Sequence, residues 1–195
     1  KNSKCIEIGS NDGTLLNFFK KGRVNCLGIE PSKNVANFAK KRKLKVLNKF
    51  FCFKEVIKLK NYLKKTDLIC AANVICHIPN LNDVIKSIDY LLKDDGIFIF
   101  EEPYLGSMFE KVSYDQIYDA HIYMFSLHSV KKIFNEKGFD LINATPQITH
   151  GGSMRYTIAR KNRFKIKKRV FDLLNLEKKK EINSLKSCLK FKKRC

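Results

Sequence analysis

Short apolar runs alternating with helical patterns through the first hundred residues constrain this chain more than any other feature. Cys5 to Ile8 reads as a strand ending at Gly9, and Thr14 to Lys20 begins a helix. Val24 to Ile29 is the next strand, stopped by Glu30-Pro31-Ser32. Asn34 to Lys41 is helical and Leu44 to Leu47 a short strand. Glu55 to Leu63 is expected as a helix with Val56, Leu59 and Leu63 apolar, and Asp67 to Ala72 as a buried strand. Asn82 to Leu92 is helical, and Asp95-Gly96 is expected to turn the chain into a strand at Ile97 to Phe100. Strands separated by helices imply β-α-β crossovers and a parallel sheet.

The rhythm breaks after residue 100. A long stretch rich in Tyr, Phe and His leads to a helix at Ser129 to Lys137, closed by Gly138. Phe139 to Ala144 and Met154 to Ala159 follow as strands with no helix between them, which places an antiparallel hairpin at one edge of the sheet. From Phe164 the tail reads as one amphipathic helix, with Val170, Leu173, Leu174, Ile182, Leu185 and Leu189 as its apolar stripe. The expected division is a sheet domain over residues 1–160 and a basic helical segment over 161–195.

A chain of 195 residues that is 44% hydrophobic, with 15 Phe, has the apolar material for a real core and is not disordered. No apolar run approaches the ~20 residues of a membrane span. The chain starts at Lys1 rather than Met and its last helical pattern runs to residue 195, so an excerpt of a longer protein is expected. The net charge of +20 comes from 39 basic and 19 acidic side chains. Lys far outnumbers Arg, and the surplus is concentrated beyond residue 160. Biased codon usage and a solvated tail account for that without a nucleic-acid partner. Seven cysteines form no C-x-x-C pair and several sit in apolar runs. They read as reduced thiols of a cytoplasmic protein, with no metal site.

In an open α/β sheet, ligands gather beyond the carboxyl ends of the strands. There the first loop reads Glu7-Ile8-Gly9-Ser10-Asn11-Asp12-Gly13, the second strand ends at Glu30 and the fourth at Asn73. The loop lacks the G-x-G-x-x-G fingerprint and the Lys-Ser/Thr pair of phosphate-binding loops, and its carboxylates would repel a pyrophosphate. It suits a ligand with a cationic end. This arrangement resembles the class I S-adenosylmethionine-dependent methyltransferases, which implies a Rossmann-like α/β fold with a mostly parallel seven-stranded sheet, a terminal antiparallel hairpin and helices on both faces. The resemblance implies S-adenosylmethionine held by Glu7, Gly9, Ser10, Asn11, Gly13, Glu30 and Asn73.

A narrower likeness runs through Gly28-Ile29-Glu30-Pro31-Ser32, Asn73-Val74-Ile75-Cys76-His77-Ile78-Pro79, Glu101-Glu102-Pro103-Tyr104-Leu105, Tyr118-Asp119-Ala120-His121 and His150-Gly151-Gly152-Ser153-Met154-Arg155. In that order these segments are similar to the sugar C-methyltransferases, which methylate a carbon of nucleotide-linked 4-keto-deoxysugars. That family has an N-terminal zinc-binding domain and a C-terminal substrate domain. Zinc is not expected in the present chain, and residues 161–195 would begin the last part. The likeness implies His121 as the base that generates an enolate beside the ketone, Tyr118 next to it, His77 near the enolate oxygen, and Tyr104, His150, Ser153 and Arg155 against the substrate. One departure matters: the family's Tyr-His-Glu-His is here Tyr118-Asp119-Ala120-His121, without the carboxylate before the base.

Plainer readings stand beside these. Tyr118 and His121 also fit packing on one helical turn, and Tyr104 fits a core aromatic with a polar tip. His150 to Ser153 fits turn chemistry, Arg155 a surface ion pair, and Glu101 and Glu102 solvated charges at a strand end. Two functional alternatives remain: a methyltransferase acting on RNA or another small molecule, and a degenerate cofactor-binding module.

Overall fold

The computed structural model describes residues 3–195. Its strands are β1 (Lys4–Ile8), β2 (Asn25–Ile29), β3 (Val46–Leu47), β4 (Thr66–Ala72), β5 (Leu92–Pro103), β6 (Phe139–Gln147) and β7 (Ser153–Arg160). The helices are α1 (Thr14–Lys21), α2 (Lys33–Lys41), α3 (Phe53–Val56), α4 (Leu81–Leu91), α5 (Leu105–Lys111), α6 (Leu127–Asn135), α7 (Lys168–Lys179) and α8 (Leu185–Arg194). The strands form one seven-stranded sheet in the order β3-β2-β1-β4-β5-β7-β6. β1 is parallel to β2 and β4, β2 is parallel to β3, and β6 and β7 form the antiparallel hairpin. The expected Rossmann-like architecture is the one found. Among the described residues, no helix is long and apolar enough to cross a membrane.

The described residues form two compact units: 3–74 with Asn80–Ile99, and Ile75–Pro79 with Phe100–Cys195. The first packs α1 and α2 beside the parallel strands, with Leu16, Ala39 and Leu44 buried together against Cys26 and Val46. Ile8 is in register with Ile29 on one side and Ala71 on the other, which brings the carboxyl ends of β1, β2 and β4 level. The second unit has an aromatic core. The Phe100 ring stacks on Tyr156 at 4.8 Å and lies 5.8 Å from Phe134 and 6.1 Å from Phe125.

Four local expectations are corrected. The helix expected over Glu55 to Leu63 starts at Phe53, whose N–H donates to the Asp83 carboxylate at 2.7 Å, and ends at Val56. Beyond it there is only a 3-10 turn at Lys60–Tyr62, with Ile57 and Leu63 exposed. Asp95-Gly96 lies inside β5, because Gly96 is a close-approach residue: a Cβ there would stand 2.8 Å from the Thr66 carbonyl oxygen. The long stretch after Glu101 contains α5, unseen in the sequence because its seven residues carry too little periodicity. The tail is two helices, not one. Glu181 takes φ 52°, and Ser184 caps α8 by accepting the Ser187 N–H. As a result Ile182 and Phe191 are buried while Leu185 and Leu189 face solvent.

Candidate active site

In the first unit, the loop after β1 doubles back against the end of β2. Gly9 has φ 65° and donates its N–H to the Ile29 carbonyl at 2.8 Å. A Cβ on Gly9 would stand 2.3 Å from Val74 Cγ2, so the close approach and the backbone conformation both demand glycine. Ser10 is buried over Gly28, where an added Cβ would meet the Ser10 hydroxyl at 2.4 Å. Glu30, buried at the end of β2, accepts the Asn11 N–H at 3.0 Å and the Ser32 N–H at 2.8 Å, one on each carboxylate oxygen. One acidic side chain thereby ties the first loop to the second. Gly13, at φ 80°, then starts α1.

This wall presents buried polar atoms with no hydrogen-bond partner among the described residues: Glu7 Oε2, Ser10 Oγ and Asn73 Oδ1. Asn73 sits just past β4 with φ 53°. Burial pushes the Glu7 carboxyl up to about 8, with Asp12 and Glu30 adding to the rise and a backbone hydrogen bond from Leu16 opposing it. Asp12 goes the other way, held below the usual range by the Thr14 hydroxyl and N–H. Buried atoms left without partners carry a desolvation cost that a bound ligand relieves. Here the walls are bare glycine and the orphans include the Glu7 carboxyl, which a ligand bearing cationic and hydroxyl donors would pair and draw toward its charged form.

In the second unit, the 3-10 turn Ile75–His77 lies beside the segment around His121. Cys76 accepts the N–H groups of Ile122 and Tyr123 on its carbonyl, at 3.0 and 3.3 Å. The two imidazoles lie 5.1 Å apart. His121 Nδ1 is 2.8 Å from the Gln116 carbonyl oxygen and His77 Nδ1 is 2.5 Å from that of Ala120. A carbonyl oxygen only accepts, so Nδ1 carries the hydrogen in both rings. In neutral His121 the lone pair is therefore on Nε2, which takes the Tyr118 hydroxyl hydrogen at 2.9 Å. Asp119 is exposed, and the Gln116 carbonyl occupies the Nδ1 position at which a carboxylate would orient the ring.

The remaining predicted residues gather around the start of β7. Arg155 pairs with Glu101 at 2.8 Å, and the other Glu101 oxygen accepts the Thr149 hydroxyl at 2.8 Å. The Ser153 hydroxyl donates to the Thr149 carbonyl, and the Gly152 carbonyl accepts the Tyr104 N–H. His150 is exposed in a left-handed conformation, φ 48°.

The methyltransferase domain family matches residues 1–144. The chain belongs to that family. It is thereby an S-adenosylmethionine-dependent methyltransferase domain. It is 29% identical over 151 residues to the C-methyltransferase NovU of Streptomyces niveus, covering 76% of this chain but 36% of that protein, so it spans about a third of the relative's length. A methyltransferase structure from Archaeoglobus fulgidus superposes with a TM-score of 0.63 at 15% identity, covering 82% of this chain and 86% of that one. The PH0226 protein of Pyrococcus horikoshii does so with 0.63 at 15%, covering 83% of each. At these identities the two structures attest the fold.

Two buried carboxylates of this methyltransferase domain escaped the sequence reading. Glu102 is not a solvated charge: it is fully buried and accepts the Ile75 N–H at 2.7 Å, anchoring the turn that carries Cys76 and His77. Burial, followed by Glu102 itself, pushes the Cys76 thiol up. Glu177 of α7, also fully buried, accepts the N–H groups of Leu127 and His128 at 2.6 and 3.1 Å, His128 Nδ1 at 2.7 Å and the Tyr104 hydroxyl at 3.0 Å. It caps α6 and fixes Tyr104 at once. Among Lys-rich neighbours, nothing in the sequence distinguishes it from a surface charge.

Proposed function

We propose that this domain C-methylates the carbon beside the ketone of a nucleotide-linked 4-keto-deoxysugar in the cytoplasm, with His121 as general base. The observation that carries the reading is the fixed tautomer of His121: Nδ1–H on Gln116, the Nε2 lone pair on Tyr118. A neutral imidazole so oriented is what proton abstraction near pH 7 requires. The name of the relative, a C-methyltransferase, supports the same chemistry.

Glu7, Gly9, Ser10, Asn11, Gly13, Glu30 and Asn73 would hold S-adenosylmethionine, which when bound supplies an electrophilic methyl group. The orphaned Glu7 Oε2 and Asn73 Oδ1 would face its cationic end, and Glu30, which uses one bond on each oxygen, keeps lone pairs for ribose hydroxyls. His121 Nε2 takes the proton from the substrate carbon: a C–H bond breaks, an N–H bond forms, and the electron pair moves toward the ketone oxygen. Tyr118 releases Nε2 as substrate enters and keeps the ring aimed. His77, whose Nδ1 hydrogen is held by Ala120, donates from Nε2 only as the imidazolium, and that charge favours the oxygen that gains the electrons. Tyr104, His150, Ser153 and Arg155 would line the sugar-nucleotide, and residues 161–195 would open a further substrate domain.

The test is deuterium uptake from D₂O into the carbon beside the ketone of such a sugar, read by NMR with S-adenosylhomocysteine present. Uptake that His121→Ala abolishes supports the assignment. Wild-type protein that binds S-adenosylhomocysteine but exchanges no deuterium overturns it.

A further inference from the structure

Cys76, His77 and His121 offer one ligand atom each, and the three atoms lie within 4.8 Å of one another. Each imidazole donates Nδ1–H to a backbone carbonyl, His77 to Ala120 and His121 to Gln116. That is the outer hydrogen bond by which metal-binding histidines have their ring fixed and the Nε2 lone pair made more basic. The third donor is a thiol on the residue next to His77, buried beside the Glu102 carboxylate. Two imidazoles and one thiolate match the borderline softness of zinc and leave a tetrahedral ion one open position.

We propose that Cys76, His77 and His121 form a binding site for one divalent zinc ion. With Zn–S of about 2.3 Å and Zn–N of about 2.0–2.1 Å, tetrahedral ligand atoms sit about 3.3–3.6 Å apart, so the cluster closes by roughly 1 Å on loading. The segment that brings His121 is exposed from Ile117 to Ala120, which gives it room to move. On binding, the Cys76 S–H bond breaks, an S–Zn bond forms and the proton leaves to solvent. The ion also takes His121 Nε2 from Tyr118. The functional consequence rests on the proposed function: a loaded site has no free base, so zinc inhibits the enzyme.

The test adds Zn²⁺ alone to the reduced 195-residue chain carrying Cys188→Ser and Cys195→Ser, which removes the two exposed thiols. Binding is read by competition with a chromophoric chelator, and Co²⁺ reports the thiolate through its charge-transfer absorption. The expected result is one ion per chain, a thiolate band that Cys76→Ser abolishes, and an affinity that falls at least tenfold in Cys76→Ser and in His77→Ala. S-adenosylhomocysteine titration of each variant shows that it is folded. No stoichiometric binding, or a band and affinity that survive both substitutions, overturns the site. Zinc that binds as described but leaves deuterium exchange untouched retains the site and rejects His121 as the base.

Discussion

Tyr118 and His121 are joined hydroxyl to Nε2 at 2.9 Å, with their rings 4.1 Å apart, so the nitrogen that carries the lone pair is also the one the phenol marks. His121→Ala is expected to lower methyl transfer by about 10²–10⁴-fold, the usual worth of a placed proton acceptor. Tyr118→Phe keeps the proposed base and loses only its aim, so a drop of about tenfold is expected. Single-turnover rates with the keto-sugar check both, and S-adenosylhomocysteine affinity should stay at the wild-type value in each.

Glu30 does two jobs, and they separate by substitution. Glu30→Ala frees the amides of Asn11 and Ser32, both on exposed residues that water reaches, and costs about 1 kcal/mol of stability for each lost hydrogen bond. Glu30→Gln keeps one oxygen acceptor and costs less. Calorimetric titration should show S-adenosylhomocysteine binding weakened at least tenfold in Glu30→Ala. Unchanged affinity there would remove the ribose role.

Glu7 makes stability depend on pH. Burial raises its folded-state value to about 8 from 4.5, so between those limits the native state keeps a proton that the unfolded chain has lost. Stability therefore falls as pH rises through that window, by a few kcal/mol at most on an order-of-magnitude reckoning. Urea midpoints at about pH 5 and about pH 8.5 measure the slope, and Glu7→Gln should flatten it.

At Gly9, an alanine would need a left-handed backbone and would place its methyl 2.3 Å from Val74 Cγ2. A loss of about 2–4 kcal/mol is expected from the conformation and the overpacking together. Thermal melts and cofactor-analogue titration should both record it.

Glu177→Ala strips the acceptor from the Leu127 and His128 backbone N–H groups, from the half-exposed His128 ring and from the Tyr104 hydroxyl, leaving the buried Leu127 N–H unpaired. Destabilisation of about 3–5 kcal/mol is expected by urea unfolding. Glu177→Gln, which still offers one oxygen, should recover part of it.

Most of the sheet was legible in the residue order, because buried parallel strands must be apolar and each crossover needs a helix. The elements that were misread are those that tertiary contacts set. α3 begins where Asp83 captures the Phe53 amide, and the tail breaks where Ile182 and Phe191 find apolar cover. The loop Glu7 to Gly13 was legible because its left-handed turns at Gly9 and Gly13 call for glycine. Glu102 and Glu177 were not, because a carboxylate's burial depends on which amides the fold aims at it.

By itself, then, the sequence determined the alternation of strands and helices and the glycine-walled acidic loop. Local periodicity, backbone freedom and side-chain chemistry suffice for those. Only the tertiary structure decided that His121 hangs from a backbone carbonyl instead of a neighbouring carboxylate, that Glu177 holds Tyr104, and that Cys76 and His77 meet His121 across a long loop. Those relations are distances between segments remote in the chain, and residue order carries no distance.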